Sequence, residues 1–213
     1  QILERKREKY RRENKLIWIK MEIIDNFLEK EPFKKIQQTL MGKDFAWFYQ
    51  KTSNYKNDGI SQLTHSFYNF ELPNRINSPF FKMLNSVIDK LEIVALIRIK
   101  ANLTYPSAEY QPMHTDYPFK NIMSAIYYIN SNDGGTKIKQ IQLASNEDKI
   151  IQSKENRMVI ISGDTPHAVV RHTDDKIGRI VINFNYYSDE LAKDLEKYRR
   201  ENKLIWKITF YDS

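Results

Sequence analysis

The chain has 213 residues, of which 41% are hydrophobic and 13% aromatic, so it can form one domain with a substantial core and is not intrinsically disordered. It contains no cysteine, which excludes disulfides, thiolate zinc sites and cysteine nucleophiles. The longest apolar run, Ile93–Ile97, is far too short to span a bilayer. Residues 1–20 are charged rather than apolar, so no secretory signal is indicated and we expect a cytoplasmic protein.

The formal net charge of +7 comes mostly from one terminal segment. Residues 1–20 contain eight Lys or Arg and three Glu, a net charge of +5, and the rest of the chain contributes only +2. This nearly neutral body argues against nucleic-acid binding, because duplex recognition normally needs a basic stripe. We therefore expect a small-molecule or peptide substrate, and neither a nucleic-acid nor a membrane partner.

One segment of eleven residues occurs twice without change, as Glu8–Trp18 and as Glu196–Trp206. Met21 opens a sequence that reads like a natural beginning, so we interpret residues 1–20 as a basic helical extension duplicated from the C-terminal tail. Residues 21–213 are predicted to form a single domain. The alternative is that the two copies are matching helices, which pair with each other or across a homodimer.

Two amphipathic helices are predicted in the first half of this domain. Pro32 lies in the first turn of a helix that extends to about Met41, and the first turn is the helical position that tolerates proline. The other helix is capped by Ser78 and extends to about Leu91, with its apolar residues on one side. The polar segment between the two helices, residues 51–61, is a predicted loop.

After residue 92 the pattern changes to short strands separated by turns. Residues 130–135 contain Asp-Gly and Gly-Gly, which are both hairpin signals. Seven strands in succession predict a mainly β or α+β fold, a sandwich or jelly roll with its core at about 93–187. The two helices would pack on one sheet, and a charged terminal helix would follow at 188–206. The predicted strands are Ile93–Leu103, Ile122–Ile129, Lys137–Leu143, Lys149–Ile151, Arg157–Ser162, His167–Arg171 and Arg179–Tyr186.

The last predicted strand has one apolar and one polar face, because alternate side chains of a strand point to the same side. The apolar face consists of Ile180, Ile182, Phe184 and Tyr186, and the polar face consists of Arg179, Val181, Asn183 and Asn185. An apolar face needs a layer of helices over it, whereas a face with Arg and Asn needs a polar cavity. A barrel that encloses a charged ligand satisfies both requirements.

His114, Asp116 and His167 are the residues that best indicate a chemistry. On an extended strand, His114 and Asp116 share a face and can reach one point together. A third ligand from a distant strand would complete a face of two imidazoles and one carboxylate, with the opposite face of the metal open. That is the arrangement of non-haem Fe(II) oxygenases. His-x-Asp alone is weak evidence, because it occurs by chance in many strands.

Four segments between Ile93 and Tyr187 together resemble the Fe(II)/2-oxoglutarate-dependent dioxygenases, and most of all their prolyl-4-hydroxylase branch. Each segment alone is weak evidence, but all four occur in the family's order with plausible spacing. They are Glu109–Asp116, which ends in His-x-Asp; Ala125–Asn130 with the Gly-Gly turn Asp133–Thr136; Gly163–Val169, which presents the second histidine; and Arg179, which opens a strand.

The resemblance implies a double-stranded β-helix, or jelly roll, in which His114, Asp116 and His167 hold Fe(II). It also implies that Arg179 pairs with the far carboxylate of the cosubstrate 2-oxoglutarate and that O2 is the oxidant. Tyr110 is the next candidate for binding the cosubstrate, since its hydroxyl can donate to a carboxylate. The implied activity is hydroxylation of a peptidyl or free amino acid or a small metabolite, with release of succinate and CO2. The carboxylate of Asp116 argues against a halogenase.

Other residues compete for these roles. His172-Thr173-Asp174 repeats the His-Thr-Asp triplet of the metal site in a turn-like segment. Arg98 and Lys100 share one face of the first long strand and compete with Arg179, which we prefer for its position. Weaker candidates for binding the cosubstrate, with core packing as the alternative, are Asn102, Tyr105, Tyr127 and Asn183.

Two other functions remain open. The chain could be a non-catalytic jelly-roll binding protein, or a nucleic-acid demethylase that uses the same chemistry. The complete triad argues against the first, because buried and unpaired His and Asp would cost stability without a metal. The nearly neutral body of the chain argues against the second.

Overall fold

The computed structural model describes residues 21–52, 61–106, 112–117, 122–139, 148–170, 172–173 and 178–188. Two α-helices, a 3₁₀ helix and ten strands lie in this part of the chain. The helices are α1 (Lys30–Leu40), the 3₁₀ helix Phe81–Leu84 and α2 (Asn85–Lys90). The strands are β1 (Glu22–Ile24), β2 (Phe48–Gln50), β3 (Gln62–Asn69), β4 (Ile93–Thr104), β5 (Met123–Tyr128), β6 (Gly135–Lys139), β7 (Asp148–Gln152), β8 (Arg157–Ser162), β9 (His167–Val170) and β10 (Arg179–Ser188).

Two antiparallel sheets of unequal size form the structure. The major sheet has seven strands in the order β1-β8-β5-β10-β4-β3-β2, and the minor sheet has three in the order β7-β6-β9. An isolated antiparallel bridge between His114 and His167 places the segment around His114 beside β9. This mainly β architecture is consistent with the predicted double-stranded β-helix. None of the described helices has both the length and the apolar character needed to cross a membrane.

The helices cover one face of the major sheet, as the apolar pattern predicts. Phe33 and Ile36 of α1 and Val87 of α2 are buried in one cluster with Ile99 of β4 and Ile182 of β10. Three- and four-residue spacing puts the buried residues of α1 on one side of that helix. Complete burial of a side chain of this size contributes roughly 2 kcal/mol, so this layer is a main source of stability.

The two faces of β10 are used as predicted. Ile180, Ile182, Phe184 and Tyr186 all belong to the cluster under the helices. On the opposite side, Arg179, Val181 and Asn183 line a cavity between the major and minor sheets. A second, smaller apolar cluster joins the two sheets beside this cavity. Its buried members are Ile126, Tyr128, Ile138, Ile151, Val159, Ile161 and Val181.

The predicted helices are present, but the second one starts differently. Ser78 does not cap an α-helix: its Oγ accepts a hydrogen bond from the Phe80 amide at 3.1 Å, within a turn. The chain then forms the 3₁₀ helix and becomes α-helical only at Asn85. The serine signal therefore marks a turn that leads into the helix, rather than the first residue of the helix.

Three strands were not predicted from the sequence. β1 and β2 have three residues each, which is too short for a periodic pattern to be visible. β3 buries the polar residues Gln62 and His65, so its pattern does not resemble an apolar strand. The His65 ring contacts the Ala46 carbonyl and the Ser78 hydroxyl, each at 2.7 Å, which explains how a polar side chain is accommodated there.

Several predictions fall outside the described residues. They concern the extension at 1–20, most of the loop at 51–61, the end of the strand predicted to reach Leu143, and the terminal helix at 188–206 beyond Ser188, which itself ends β10. The division of the chain at residue 20 therefore stays a prediction.

Asn156 connects the approach to α1 with the major sheet. Its Oδ1 accepts hydrogen bonds from the Leu28 amide at 3.0 Å and from the Tyr127 hydroxyl at 2.7 Å. Its Nδ2 donates to the Leu28 carbonyl at 2.8 Å. The backbone at Asn156 has a φ of 59°, in the left-handed region that Asn tolerates better than most residues. One side chain thus satisfies three buried polar groups in a turn that few residues can form.

We expect Asn156→Ala to destabilise the fold by about 3 kcal/mol, because it leaves buried hydrogen-bonding groups of Leu28 and Tyr127 without a partner and adds a left-handed alanine. Urea unfolding measures this change, with Asn74→Ala at an exposed position as the control. Asn156→Gly removes the backbone cost and should recover part of the loss. A change below about 0.5 kcal/mol in Asn156→Ala, the range typical of surface substitutions, would contradict this interpretation.

Candidate metal centre

His114, Asp116 and His167 lie together where the segment around His114 pairs with β9 of the minor sheet. The His114 amide donates to the His167 carbonyl at 2.9 Å, and the His167 amide donates to the His114 carbonyl at 2.8 Å. The Tyr117 amide continues this pairing to the Gly163 carbonyl at 3.1 Å. Asp116 is two residues from His114 and therefore lies on the same side of the extended backbone. One ligand atom from each of His114, Asp116 and His167 lies within 4.8 Å of the others.

Each of the two imidazoles has a ring nitrogen that could bind a metal ion. His167 Nδ1 lies 3.0 Å from the Thr165 carbonyl, and since a carbonyl only accepts, Nδ1 carries the proton and Nε2 is left as the donor atom for a metal. Burial, together with the neighbouring His167, lowers the pKa of His114 to about 4. His114 is therefore neutral at pH 7, which is the form that binds a metal ion.

The Asp116 carboxylate is held at both of its oxygens. Arg98 approaches Oδ1 through NH2 at 3.4 Å, and Asn185 donates to Oδ2 through Nδ2 at 3.0 Å. Asn185 Nδ2 also lies 2.9 Å from Ser124 Oγ. Burial alone would raise the pKa of Asp116, but His167, Arg98 and Asn185 outweigh burial and lower it. The carboxylate is thus ionised and fixed in orientation, as a metal ligand needs to be.

A cavity of about 410 Å³ opens from this cluster between the two sheets. Its walls come from the polar faces of β4 and β10 and from residues of β6 and β9. The described residues that line it are Gln50, Gln62, Arg98, Lys100, Asn102, Thr104, His114, Thr115, Asp116, Ile126, Thr136, His167, Ala168, Val169, Arg179, Val181 and Asn183.

Arg179 is buried in the wall of the cavity, with only 2% of its surface exposed. Its Nε donates to Ser153 Oγ at 3.0 Å and its NH2 to Thr136 Oγ1 at 2.9 Å. Burial lowers the pKa of its guanidinium, but arginine stays charged in proteins. No carboxylate among the described residues pairs with Arg179, so its charge is available to an acidic ligand in the cavity.

The competing candidates have different positions. His172 is buried but, in the described part of the chain, it does not join the cluster of ligand atoms; Asp174 lies outside that part. Arg98 contacts Asp116 rather than a site for the cosubstrate. Tyr110 also lies outside the described residues, so its role stays a prediction.

The weaker candidates divide into two groups. Asn102 and Asn183 line the cavity together with Lys100. Tyr127 is instead buried under the helices in the main core, where burial raises the pKa of its hydroxyl, and Tyr105 is 55% exposed. Core packing therefore explains Tyr127, which was weighed as a candidate for binding the cosubstrate.

Sequence reasoning did not identify Asn185 or Ser124 as supports of Asp116, or Thr136 and Ser153 as partners of Arg179. The sequence places Asn185 on the polar face of the last strand, and this position is the only sequence signal that indicates a role in the site. Its contact with Asp116 depends on how β10 packs against a segment 69 positions earlier in the chain, which no local pattern encodes.

No protein-family model matches the sequence, and no curated protein matches it, whereas many solved structures share its fold. An oxidoreductase of the 2OG-Fe(II) oxygenase family from Burkholderia pseudomallei is 11% identical, with a TM-score of 0.58 over 79% of this chain and 84% of that one. A prolyl hydroxylase from Trichoplax adhaerens, in complex with a hypoxia inducible factor peptide, is 15% identical, with a TM-score of 0.55 over 81% and 86%. The epimerase SnoN of nogalamycin biosynthesis, in complex with Fe3+ and alpha ketoglutarate, is 8% identical, with a TM-score of 0.56 over 79% and 78%.

The chain has the fold of the 2-oxoglutarate-Fe(II) oxygenases. The predicted resemblance to this superfamily, including its prolyl hydroxylases, is therefore confirmed at the level of the fold. The cluster of His114, Asp116 and His167 also provides a donor set of two imidazoles and one carboxylate, which suits Fe(II) and leaves coordination positions open. The residues present thus fit the metal that the fold implies.

We expect Asn185→Ala to weaken binding of Mn(II), a redox-stable substitute for Fe(II), by about 10- to 100-fold, the usual effect of removing a hydrogen bond to a metal ligand. The reason is that Asp116 Oδ2 loses its amide donor and the carboxylate can rotate. Titration followed by electron paramagnetic resonance measures the affinity. Asn74→Ala, which changes an exposed asparagine, should bind Mn(II) as the wild type does, and equal affinities for all three proteins would contradict the role of Asn185.

Proposed function

We propose that this chain is an Fe(II)- and 2-oxoglutarate-dependent oxygenase that hydroxylates a small molecule or an amino-acid side chain. The observation that carries the proposal is the convergence of the ligand atoms of His114, Asp116 and His167 at one end of a cavity. The wall of this cavity also contains the guanidinium of Arg179, which pairs with no carboxylate among the described residues. A fold of this type supports several functions, so the residues of the site carry the argument, not the fold.

The protein's residues hold and orient the reactants. The backbone bridge between them keeps His114 and His167 side by side. Asp116 is kept ionised by Arg98 and Asn185. Fe(II) bound there with 2-oxoglutarate and O2 would supply the oxidising chemistry: one atom of O2 would enter succinate as 2-oxoglutarate loses CO2, and the other would be inserted into a C–H bond of the substrate.

Arg179 would orient 2-oxoglutarate in the cavity. Its planar guanidinium suits a carboxylate through two parallel hydrogen bonds. Ser153 and Thr136 fix the orientation of the guanidinium through their hydroxyls. The far carboxylate of 2-oxoglutarate would bind at Arg179, so that its 2-oxo acid end is directed to the metal cluster. The apolar neighbours Val181 and Ile126, which also line the cavity, help to exclude water from this path.

The support for hydroxylation as the type of reaction is separate from the support for an oxygenase. One solved structure with this fold is a prolyl hydroxylase and another is an epimerase, so the fold alone does not select hydroxylation. The carboxylate ligand Asp116 and the resemblance of four ordered segments to the prolyl-4-hydroxylase branch support a hydroxylase. A peptidyl or free amino acid, or a small metabolite, is the substrate that we propose.

We expect the protein to bind Fe(II) and 2-oxoglutarate under anaerobic conditions and to show the weak visible charge-transfer absorption of the chelate. His114→Ala and Asp116→Ala should each abolish this absorption, because each removes a ligand of the metal. In air, succinate release measured by mass spectrometry separates an oxygenase from a non-catalytic binding protein. Wild-type protein that shows neither the absorption nor succinate release would contradict the proposed function.

Arg179→Met should weaken 2-oxoglutarate binding by at least about tenfold, since a buried charge-assisted pair contributes about 1.5–3 kcal/mol. Mn(II) affinity measured in the same protein is the control: it should stay close to the wild-type value, because Arg179 contacts no residue of the metal cluster. Loss of both affinities would indicate a misfolded variant, and Arg179→Lys then provides the milder test. Unchanged 2-oxoglutarate affinity in Arg179→Met would contradict the role of Arg179.

A further inference from the structure

The cavity contains more positive than negative charge. Among the described residues that line it, Arg98, Lys100 and Arg179 are cationic and Asp116 alone is anionic, which leaves an excess of two positive charges. Fe(II) and 2-oxoglutarate carry equal and opposite charges, so binding both of them leaves this excess unchanged. A partly dehydrated cavity with uncompensated charge favours a ligand of the opposite sign.

Lys100 is the cavity cation to which the described residues offer no hydrogen bond or ion pair. Arg98 is paired with Asp116, and Arg179 is held by Ser153 and Thr136 in the position proposed for the cosubstrate. The ammonium group of Lys100 makes no hydrogen bond or ion pair to a described residue, although the side chain is only partly exposed. Burial and the nearby Arg98 lower the pKa of Lys100 to about 8, and the attraction of the Asp116 carboxylate does not outweigh them.

Two amides lie beside Lys100 on the same face. In the register of β4 and β10, Asn183 is directly opposite Lys100, and Asn102 is the next cavity-facing residue of β4. Asn102 is 8% exposed, and the side-chain oxygens of both asparagines are buried without a hydrogen-bond partner among the described residues. Buried polar groups are normally hydrogen-bonded, and an amide oxygen only accepts, so these two oxygens indicate a ligand that carries N–H or O–H donors. A primary amide can also present its NH2 donors to an anion.

Lys100 lies away from Arg179, with Asn102 between them on the same face of β4. Arg179 lies opposite Thr104, four residues along β4 from Lys100, which is roughly 13 Å of strand. Arg98, which contacts Asp116, is only two residues from Lys100 on the same face. Lys100 therefore lies at the metal end of the cavity, where a substrate must approach to be oxidised.

We propose that the substrate is a small anion whose carboxylate or phosphate group binds Lys100 and whose own N–H or O–H groups donate to the buried oxygens of Asn102 and Asn183. This inference rests on the proposed oxygenase function and gives it a substrate class. It favours a free acid or a phosphate ester over an uncharged peptide segment, because an uncharged substrate would leave the excess positive charge of the described cavity residues unbalanced.

The test compares Lys100→Met, which keeps the length of the side chain and removes its charge, with Lys100→Arg, which keeps the charge. Lys82→Met makes the same substitution at an exposed position and is the matched control. Each protein is loaded anaerobically with Fe(II) and 2-oxoglutarate and titrated with paired probes: benzoate and benzamide, N-acetylproline and N-acetylprolinamide, glycerol phosphate and glycerol. The shift in melting temperature and the change in visible absorption report binding.

We expect at least one anionic probe to bind the wild type at least tenfold more tightly than its neutral partner. Lys100→Met should remove this preference, whereas Lys100→Arg and Lys82→Met should keep it. The carboxylate and phosphate pairs separate the two kinds of acid. Affinity for 2-oxoglutarate should change less than threefold in Lys100→Met.

Three results would overturn the inference. The first is no preference for any anionic probe in the wild type. The second is a preference that survives in Lys100→Met. The third is a loss of 2-oxoglutarate affinity in Lys100→Met as large as that in Arg179→Met, which would assign Lys100 to the cosubstrate. In all three cases the oxygenase function stands if the wild type releases succinate from 2-oxoglutarate in air; if it binds neither Fe(II) nor 2-oxoglutarate, both proposals are wrong.

Discussion

Two backbone hydrogen bonds between His114 and His167 are the interaction on which the site depends. Residues of antiparallel strands that exchange both bonds lie directly opposite each other, with their side chains on the same side. The pairing therefore brings two imidazole rings to a centroid separation of 4.5 Å, although the residues are far apart in the sequence. The backbone pairing thus brings the two histidines side by side.

The Asp116 carboxylate connects this pairing to the major sheet. Arg98 comes from β4 and Asn185 from β10, and these two residues are also opposite each other in the register of that pair of strands. Arg98 Nε donates to Asn185 Oδ1 at 3.1 Å, so the two supports of Asp116 hold each other. The polar face of the major sheet and the triad are thus one hydrogen-bonded unit. A change in the packing of the two sheets would therefore move the metal ligands.

The parts of this arrangement that follow a local pattern were predictable from the sequence. Alternation of Arg179, Val181 and Asn183 with Ile180 and Ile182 indicated both the cavity and the helix layer, because a strand has only two faces. The His-x-Asp spacing indicated two ligands on one face. The resemblance to a known family added His167 and the position of Arg179.

The rest depends on contacts that no local pattern records. The short edge strands β1 and β2 exist because a neighbouring strand offers free hydrogen-bonding groups, and their own residues carry no periodic signal. Arg98 was weighed as a rival of Arg179, but the register of β4 against β10 places it at Asp116 instead. The sequence already favoured His114, Asp116 and His167 over the triplet that begins at His172, because that triplet lies in a turn-like segment, and the cluster of ligand atoms among the described residues agrees.

The strict alternation in β4 and β10 has a consequence for how such a protein can change during evolution. Replacement of one cavity residue, such as Lys100 or Asn183, alters what the cavity accepts and leaves the helix-covered core intact. An insertion or deletion of a single residue within β10 is different, because it turns every following side chain to the opposite face. Ligand preference can therefore diverge by point substitution, whereas changes of chain length are confined to the connections between strands.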